Sequence, residues 1–404
     1  MSAGKLRYAV IGIQGIGRYH VRTSQEHPQV ELVALVDVDA AAVRRQAEEL
    51  GVQPFTDHRD LLAAGLVDAV SIATPHRHLA PIGLDCLAAG LHILVEKPFA
   101  TRISDARTMN ELAKQRGLQI GVAYQYRTFA PWPRFKAILD SGALGKLQQG
   151  VWRWAEFRPD AYYTRNPWRA TWQESGGGIL LNQVSHDLDL LCWLLGQPVG
   201  VTARIANHLH QAEIEDTVTA TIEFAQGVQV AFQATINQPQ AASIRLLSGD
   251  RGLVVLPGEL GRGGDTAEAR LGLYALPADQ AVRTLQGGHD QPEIRWQRLG
   301  GKTSGQRIRK LPGMKRLLVW GGRFRPKRWD SGHRATFASF VQAVTGQGQP
   351  LVSGREAEQT VELINGMILS AFLERWVDFP LDAQEYDHLF DALRRGDREV
   401  PRWR

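Results

Sequence analysis

Through residue 125 the chain alternates short, largely apolar runs with longer amphipathic ones. Residues 6–13 read as a buried strand, with a helix opening at Gly15 to Gly17. Residues 31–36 are a second such run, followed by a helical pattern over 40–50. Residues 68–73 and 92–95 are further apolar strands, each followed by helical periodicity, and 122–124 closes the series. A strand that is apolar at every position is buried on both faces, and strands alternating with helices build right-handed βαβ units. The pattern predicts a doubly wound parallel sheet. After residue 126 the strands follow one another directly, at 148–158, 199–207, 216–224, 228–236 and 243–247. Turn signals at Gln226-Gly227 and Gly249-Asp250 separate them. Such a series suits an open, mostly antiparallel sheet with one face free for a partner. Helical periodicity returns at 333–344 and 355–376. The fold class is α/β, in two parts, residues 1–125 and 126–404.

Composition narrows this picture only modestly. With 404 residues, 44% hydrophobic and 22% charged, the chain is an ordinary globular one, which excludes disorder, collagen and a coiled-coil rod. The formal net charge of +5 is small for this length, and it suits anionic small molecules as readily as nucleic acid. Its one concentration lies at 302–328, with Arg307, Arg309, Lys310, Lys315, Arg316, Arg323, Arg325, Lys327 and Arg328 around Trp320. That stretch reads as a solvated insertion or as a rim attracting a phosphate or carboxylate. No nucleic-acid module accompanies it. Cys86 and Cys192 fit no metal or disulfide spacing, so they read as small apolar core groups in a reducing cytoplasm, and no metal site is expected. No apolar run approaches the roughly 20 residues of a membrane span, and no signal-peptide pattern opens the chain.

Three groups of residues carry candidate chemistry. Gly12-Ile13-Gln14-Gly15-Ile16-Gly17 lies between the first strand and the first helix, where a glycine-rich turn aims a helix N-terminus at a dinucleotide pyrophosphate. Gln14 stands where a second glycine is usual, so Gly15 takes over the close backbone approach. Asp37 ends the second strand, 20 residues after Gly17, where a carboxylate accepts from ribose hydroxyls and repels a 2′-phosphate. This favours NAD over NADP. Glu96-Lys97-Pro98 follows the strand at 92–95, so Lys97 projects from a strand's carboxyl end into the ligand crevice. Gly176-Gly177-Gly178 then opens a helix expected over 179–195, on which Asn182, His186, Asp189 and Trp193 form one polar stripe.

Together with the Ala73-Thr74-Pro75 strand end and the Trp168-Arg169 pair, these motifs resemble the Gfo/Idh/MocA family over residues about 6 to 380. The resemblance implies an N-terminal Rossmann domain over 1–125. It also implies a C-terminal α/β domain over 126–404 whose open sheet floors the substrate site and often joins copies into a homo-dimer or homo-tetramer. It implies NAD(P)-linked chemistry on a sugar, cyclitol or sugar nucleotide, with Gly12, Gln14, Gly15, Ile16, Gly17, Asp37, Thr74, Pro75, His78, Glu96 and Lys97 about the cofactor. By this likeness Lys97 bonds the reacting hydroxyl and His186 is the general acid/base. Asn182 stands where many members carry an aspartate, and it cannot carry a proton. Among the aromatic residues between 151 and 172, Tyr163 and Trp168, with Arg169, are expected to line the cleft. The main reading is an NAD-dependent dehydrogenase acting on a secondary hydroxyl. The alternatives are an NAD-dependent glycosidase using transient oxidation, and a sugar-sensing regulator that binds the dinucleotide without net chemistry.

Overall fold

The computed structural model describes residues 4–129, 131–239, 242–257, 269–274, 294–298 and 331–402. The basic stretch 302–328 lies outside them.

The first sheet contains β1 (Leu6–Ile11), β2 (Val30–Val36), β3 (Gln53–Phe55), β4 (Ala69–Ile72), β5 (His92–Val95) and β6 (Ile120–Val122), in the order β3-β2-β1-β4-β5-β6. All its pairings are parallel. Helices α1 (Gly17–Glu26), α2 (Ala40–Leu50), α3 (His58–Ala64), α4 (His76–Ala88) and α5 (Ile103–Arg116) make the crossovers. Tyr8, Ala9 and Val10 of β1 are fully buried, as a central strand covered on both faces must be. The three-residue β3 has no clear sequence signal, and its Pro54 is tolerated because the strand lies at the edge. The order reverses between β1 and β4, which opens a crevice at their carboxyl ends.

The chain continues through α6 (Trp132–Asp140), β7 (Leu147–Ala155), α7 (Ala161–Thr164), α8 (Trp172–Ser175), α9 (Ile179–Asn182) and α10 (Ser185–Leu195). Then come β8 (Pro198–Ala206), β9 (Thr217–Phe224), β10 (Val228–Thr235), β11 (Ile244–Gly249), β12 (Gly252–Pro257), β13 (Arg270–Tyr274) and β14 (Ile294–Arg298). With the short β15 (Val377–Asp378) these strands form a mixed sheet ordered β14-β13-β12-β11-β7-β10-β9-β8-β15. Strands β7 and β10 run parallel, and the other described pairings are antiparallel. Along β9 and β10, Val218, Ala220, Ile222, Val230 and Phe232 face the core, while Thr219, Thr221, Gln229, Ala231 and Gln233 are exposed. The alternation leaves one face of the sheet open.

Two features depart from the sequence pattern. The helix expected over 179–195 is two helices, because its first turn is pinned sideways. The buried Glu215 carboxylate accepts from the Gly178 and Leu180 backbone N–H groups, and its own carbonyl accepts from Ile179. Gln183 and Val184 interrupt the spiral, and α10 starts afresh at Ser185. The stripe is therefore split. Asp189 accepts both arms of the buried Arg127, at 2.9 and 2.7 Å, and Arg127 also binds Glu356 at 2.6 Å. The second departure is α11 (Gly332–Val344), which returns to the first sheet. Its Phe337, Phe340 and Val341 pack with Tyr8, Val10, Leu35 and Leu94. The next helix, α12 (Gly354–Leu373), carries a Ser353–Glu356 capping box and lies against β8 and α10, and α13 (Ala383–Arg395) closes the chain.

Candidate active site

A cavity of about 1080 Å³ opens at the switch point between β1 and β4 and continues under the segment from Arg158 to Gln183. Gly12, Gln14, Gly15, Ile16, Asp37, Thr74, Pro75, His78, Glu96, Lys97, Trp168, Arg169 and Asn182 all line it.

At its near end the backbone makes the tight turn that glycine permits. Gly12 has φ +85°, and a Cβ there would lie 2.6 Å from the Ala73 carbonyl oxygen. A Cβ on Gly17 would overlap the Gly12 carbonyl, so Gly17 lies under the turn rather than on the cavity wall. Gly15, at φ +52°, faces space with nothing within 4 Å of a Cβ, which is the open approach that Gln14 does not supply. No side chain caps α1 or α4, so two helix N-termini keep backbone donors toward the cavity. Asp37 is fixed by accepting from the Ile13 and Asp39 backbone N–H groups, each at 3.0 Å, and it too lines the cavity. Arg44 and Arg45 of α2 are exposed and lie outside the lining. Beside Asp37, Val38 is 92% exposed. Deeper in the wall, the Thr74 hydroxyl and the Gln125 side-chain oxygen are buried with no partner. Bare helix ends, a glycine turn, a preset carboxylate and unpartnered polar atoms fit a dinucleotide along this wall.

At the far end, the loop after β5 sets Glu96 inward and Lys97 toward the cavity. Burial alone would raise the Glu96 carboxyl, but hydrogen bonds from His20 at 2.8 Å and from His333 hold it well below the usual carboxylate range. His20 continues to Ser71 at 2.9 Å, and Ser71 to Tyr8 at 2.7 Å, forming a buried polar chain beneath the crevice. Sequence reasoning missed this chain, because its members are scattered over the sequence and only the sheet brings them together. Lys97 Nζ donates to the Asn182 carbonyl at 2.7 Å. Burial lowers its ammonium to about 8, Glu96 opposing and Arg169 and Arg158 adding to the shift.

Asn182 donates its side-chain amide to Ser175 Oγ at 2.6 Å, not to His186. His186 sits a turn further on, 5% exposed and outside the cavity lining, because the break before α10 rotates it away from Asn182. Its ring stacks on Tyr126 at 4.0 Å and meets the edge of Tyr124, and its Nδ1 is buried without a partner. Burial, then the charge of Lys97, pushes its pKa well below the ordinary histidine value, so the ring is neutral. Tyr163 is a correction to the expectation. It turns inward against His210, and its neighbour Tyr162 lines the cavity instead. His76 is also on the wall, bonded to the Ser175 carbonyl at 2.9 Å and brought down to about 3 by burial. Cys86 and Cys192 are free and buried away from the cavity, with burial raising both thiols. Among the described residues no cluster could hold a metal ion, and no helix is long and apolar enough to cross a membrane.

Comparison with known proteins bears on this arrangement. Residues 6–124 match the family model described as an oxidoreductase family with an NAD-binding Rossmann fold, and residues 132–255 match the GFO/IDH/MocA C-terminal domain. The chain is 30% identical to the rhizopine catabolism protein MocA of Rhizobium meliloti over 194 residues, which are 48% of this chain and 58% of that protein. It is 26% identical to the uncharacterised oxidoreductase YdgJ of Escherichia coli over 372 residues, 89% of this chain and 96% of YdgJ. Among solved structures, the WlbA dehydrogenase of Bordetella pertussis, in complex with NADH and UDP-GlcNAcA, shares the fold. Its TM-score is 0.73 at 24% identity, over 94% of this chain and 100% of that one.

Proposed function

The chain belongs to the Gfo/Idh/MocA family of NAD-binding oxidoreductases, and from that premise we propose that it is an NAD-dependent dehydrogenase oxidising a secondary hydroxyl of a sugar, cyclitol or sugar derivative. The observation that carries the reading is the meeting of Lys97 and Asn182 on one wall, at the end of a cavity that begins at the glycine turn. Gly12, Gln14, Gly15 and Ile16 would hold the pyrophosphate, with Gly17 packed beneath their turn, and Asp37 would take the adenosine ribose hydroxyls beside Val38. Thr74, Pro75, His78, Glu96 and Gln125 border the nicotinamide half, which accepts the hydride when NAD⁺ is bound. Lys97 holds the reacting hydroxyl and stabilises the oxyanion that develops on it. The Asn182 carbonyl fixes the ammonium, and Glu96, kept ionised by His20 and His333, sustains its charge. His186, buried and neutral behind the lining, is the base of this reading, and the hydroxyl proton would reach it through this cluster rather than by direct contact with the substrate. Trp168 and the edge of Tyr162 offer apolar surface to a sugar. Buried, unpaired thiols suit a reducing cytoplasm, and the open face of the second sheet suits a second copy of the chain.

Incubation with NAD⁺ and a panel of sugars, cyclitols, sugar acids and glycosides, following NADH absorbance and product mass together, tests the reading. Net NADH with a product two mass units lighter is expected. Glycoside cleavage without net NADH would make the protein a redox-assisted glycosidase, and binding without turnover would make it a sensor.

A further inference from the structure

Glu215 is fully buried just before β9 and does not line the cavity. A carboxylate is withdrawn from water only where donors replace the water. Gly178 N–H gives to both of its side-chain oxygens at 2.9 Å, and Leu180 N–H gives to one of them at 3.1 Å. Between these, Ile179 N–H donates to the Glu215 main-chain carbonyl at 2.9 Å. One residue thus takes three consecutive N–H groups. The approach is so close that a Cβ on Gly178 would lie 1.9 Å from the Glu215 carbonyl oxygen. No side chain at Gly178 caps α9, so Glu215 supplies the cap from a remote part of the chain.

The consequence falls at the other end of the same turn. In an unbroken helix the Asn182 carbonyl would accept from the N–H of His186, four residues on. With the turn drawn toward Glu215 the spiral stops at Gln183, and that carbonyl accepts from Lys97 Nζ at 2.7 Å. Glu215 is itself held in place. Its neighbour Asp216 accepts from the His208 and Leu209 N–H groups and from His210 Nδ1 at 3.1 Å. His210 Nε2 donates to the Arg158 carbonyl at 2.8 Å, and the Arg158 guanidinium donates to Gln183 at 3.3 Å. Two adjacent carboxylates therefore grip the Asn182-Gln183 pair from both sides. We propose that Glu215 is a positioning residue of the reaction, holding the turn from Gly178 to Asn182 so that the Asn182 carbonyl orients Lys97. The inference rests on the dehydrogenase reading for its effect on rate, but not for its effect on Lys97. Burial lifts the Glu215 carboxyl to about 7 while the N–H bonds oppose that lift, so carboxylate and turn stabilise each other.

The test compares Glu215→Met, which fills a similar volume without an oxygen acceptor, with Glu215→Gln, whose amide oxygen still suits the Gly178 and Leu180 N–H groups. Both should bind NADH as the wild type does, by calorimetric titration. Acetic anhydride labelling across a pH series, read residue by residue by mass spectrometry, then follows each lysine without any substrate. Lys97 should titrate at about 8 in the wild type. In Glu215→Met it should titrate at least ~0.5 lower, because an ammonium that loses an acceptor is less favoured. Lys136, on α6 and outside the cavity lining, is the reference that should not move. With any alcohol that the NAD⁺ panel shows to be oxidised, Glu215→Met should lose ~10²-fold in kcat, as a misplacement of about 1 Å does, with KM for NAD⁺ unchanged. Glu215→Gln should recover most of both. A Lys97 titration that stays or rises in Glu215→Met, or a Glu215→Gln protein as impaired as Glu215→Met, overturns the proposal. Loss of NADH binding in either variant also overturns it, by making Glu215 a support of the whole fold. The two claims fail separately. Turnover unchanged in Glu215→Met keeps the dehydrogenase and removes the role of Glu215. A lowered Lys97 titration with no alcohol oxidised keeps the hold of Glu215 on Lys97 and removes the dehydrogenase.

Discussion

The charge on Lys97 can be followed by pH, and the structure fixes the sign. Its ammonium is lowered to about 8, chiefly by burial, while His186 is neutral far below neutrality. If Lys97 acts as a cation and His186 as the base, both are in their working forms from about pH 6.5 to 7.5. Above about 8 the ammonium is lost, so kcat/KM for the oxidised substrate, at saturating NAD⁺, should fall about tenfold per pH unit, leaving about a tenth of the plateau at pH 9. Lys97→Ala should fold, bind NAD⁺, and lose ~10²–10³ in kcat, because it removes a donor aimed at charge that develops only in the transition state. Lys97→Arg keeps a charge that does not titrate below pH 12, so its residual activity should show no alkaline fall. Stopped-time NADH assays from pH 6 to 10 on the three proteins decide the matter. A wild-type rate that instead climbs through pH 8 would make neutral Lys97 the proton acceptor and refute the division of labour with His186.

Other perturbations have equally definite outcomes. Asp37 should give at least a tenfold preference for NAD(H) over NADP(H), about 1.4 kcal/mol, and Asp37→Ala should narrow it; calorimetry showing equal affinities in the wild type refutes the role. Asn182→Asp puts a carboxylate on the residue whose main-chain carbonyl takes Lys97 and should shift the alkaline limb upward in pH, since an opposite charge nearby favours the ammonium; an unmoved limb shows the two are uncoupled. Gly12→Ala forces a Cβ to 2.6 Å from the Ala73 carbonyl and should abolish NAD binding at any attainable concentration, as read by fluorescence titration. Arg127→Met leaves Asp189 buried without its partner and should cost about 3–5 kcal/mol in denaturant unfolding, with a loss under 1 kcal/mol arguing against the ion pair.

Much of the first sheet was legible because its code is local. Whole apolar runs mark strands buried on both faces, and a glycine turn or a strand-end acid falls at a fixed place in a βαβ unit. What stayed hidden depends on partners remote in sequence. The helical periodicity of 179–195 is continuous, and nothing in it announces that Glu215 will seize the N–H groups of its first turn. The Tyr162-Tyr163 pair sits on a single turn of helix, where neighbours point about 100° apart, so composition alone cannot say which ring meets the cavity. Residues 333–344 read correctly as a helix, but only packing of Phe337 and Phe340 beside Tyr8 reveals which sheet it serves.

That last contact bears on how the site works as a unit. Helix α11 carries His333 at its start, and packing on the first sheet delivers that imidazole to Glu96, the residue before Lys97. On the other side, α9 delivers the Asn182 carbonyl to Lys97 itself. The ammonium's neighbours thus come from a helix after β14 and from one between β7 and β8, while its own backbone follows β5 of the first sheet. A charge fixed from three directions cannot swing out to solvent as the cavity fills. It meets the developing oxyanion already oriented, which is the condition under which one electrostatic contact is worth several kcal/mol. Arg158, just after the second sheet's first strand, donates to Gln183, so its spacing from Lys97 is set by the same Asn182-Gln183 pair. Displacing that pair should therefore lower turnover as the loss of Lys97 does, because it frees the ammonium from the orientation that its electrostatic contact requires.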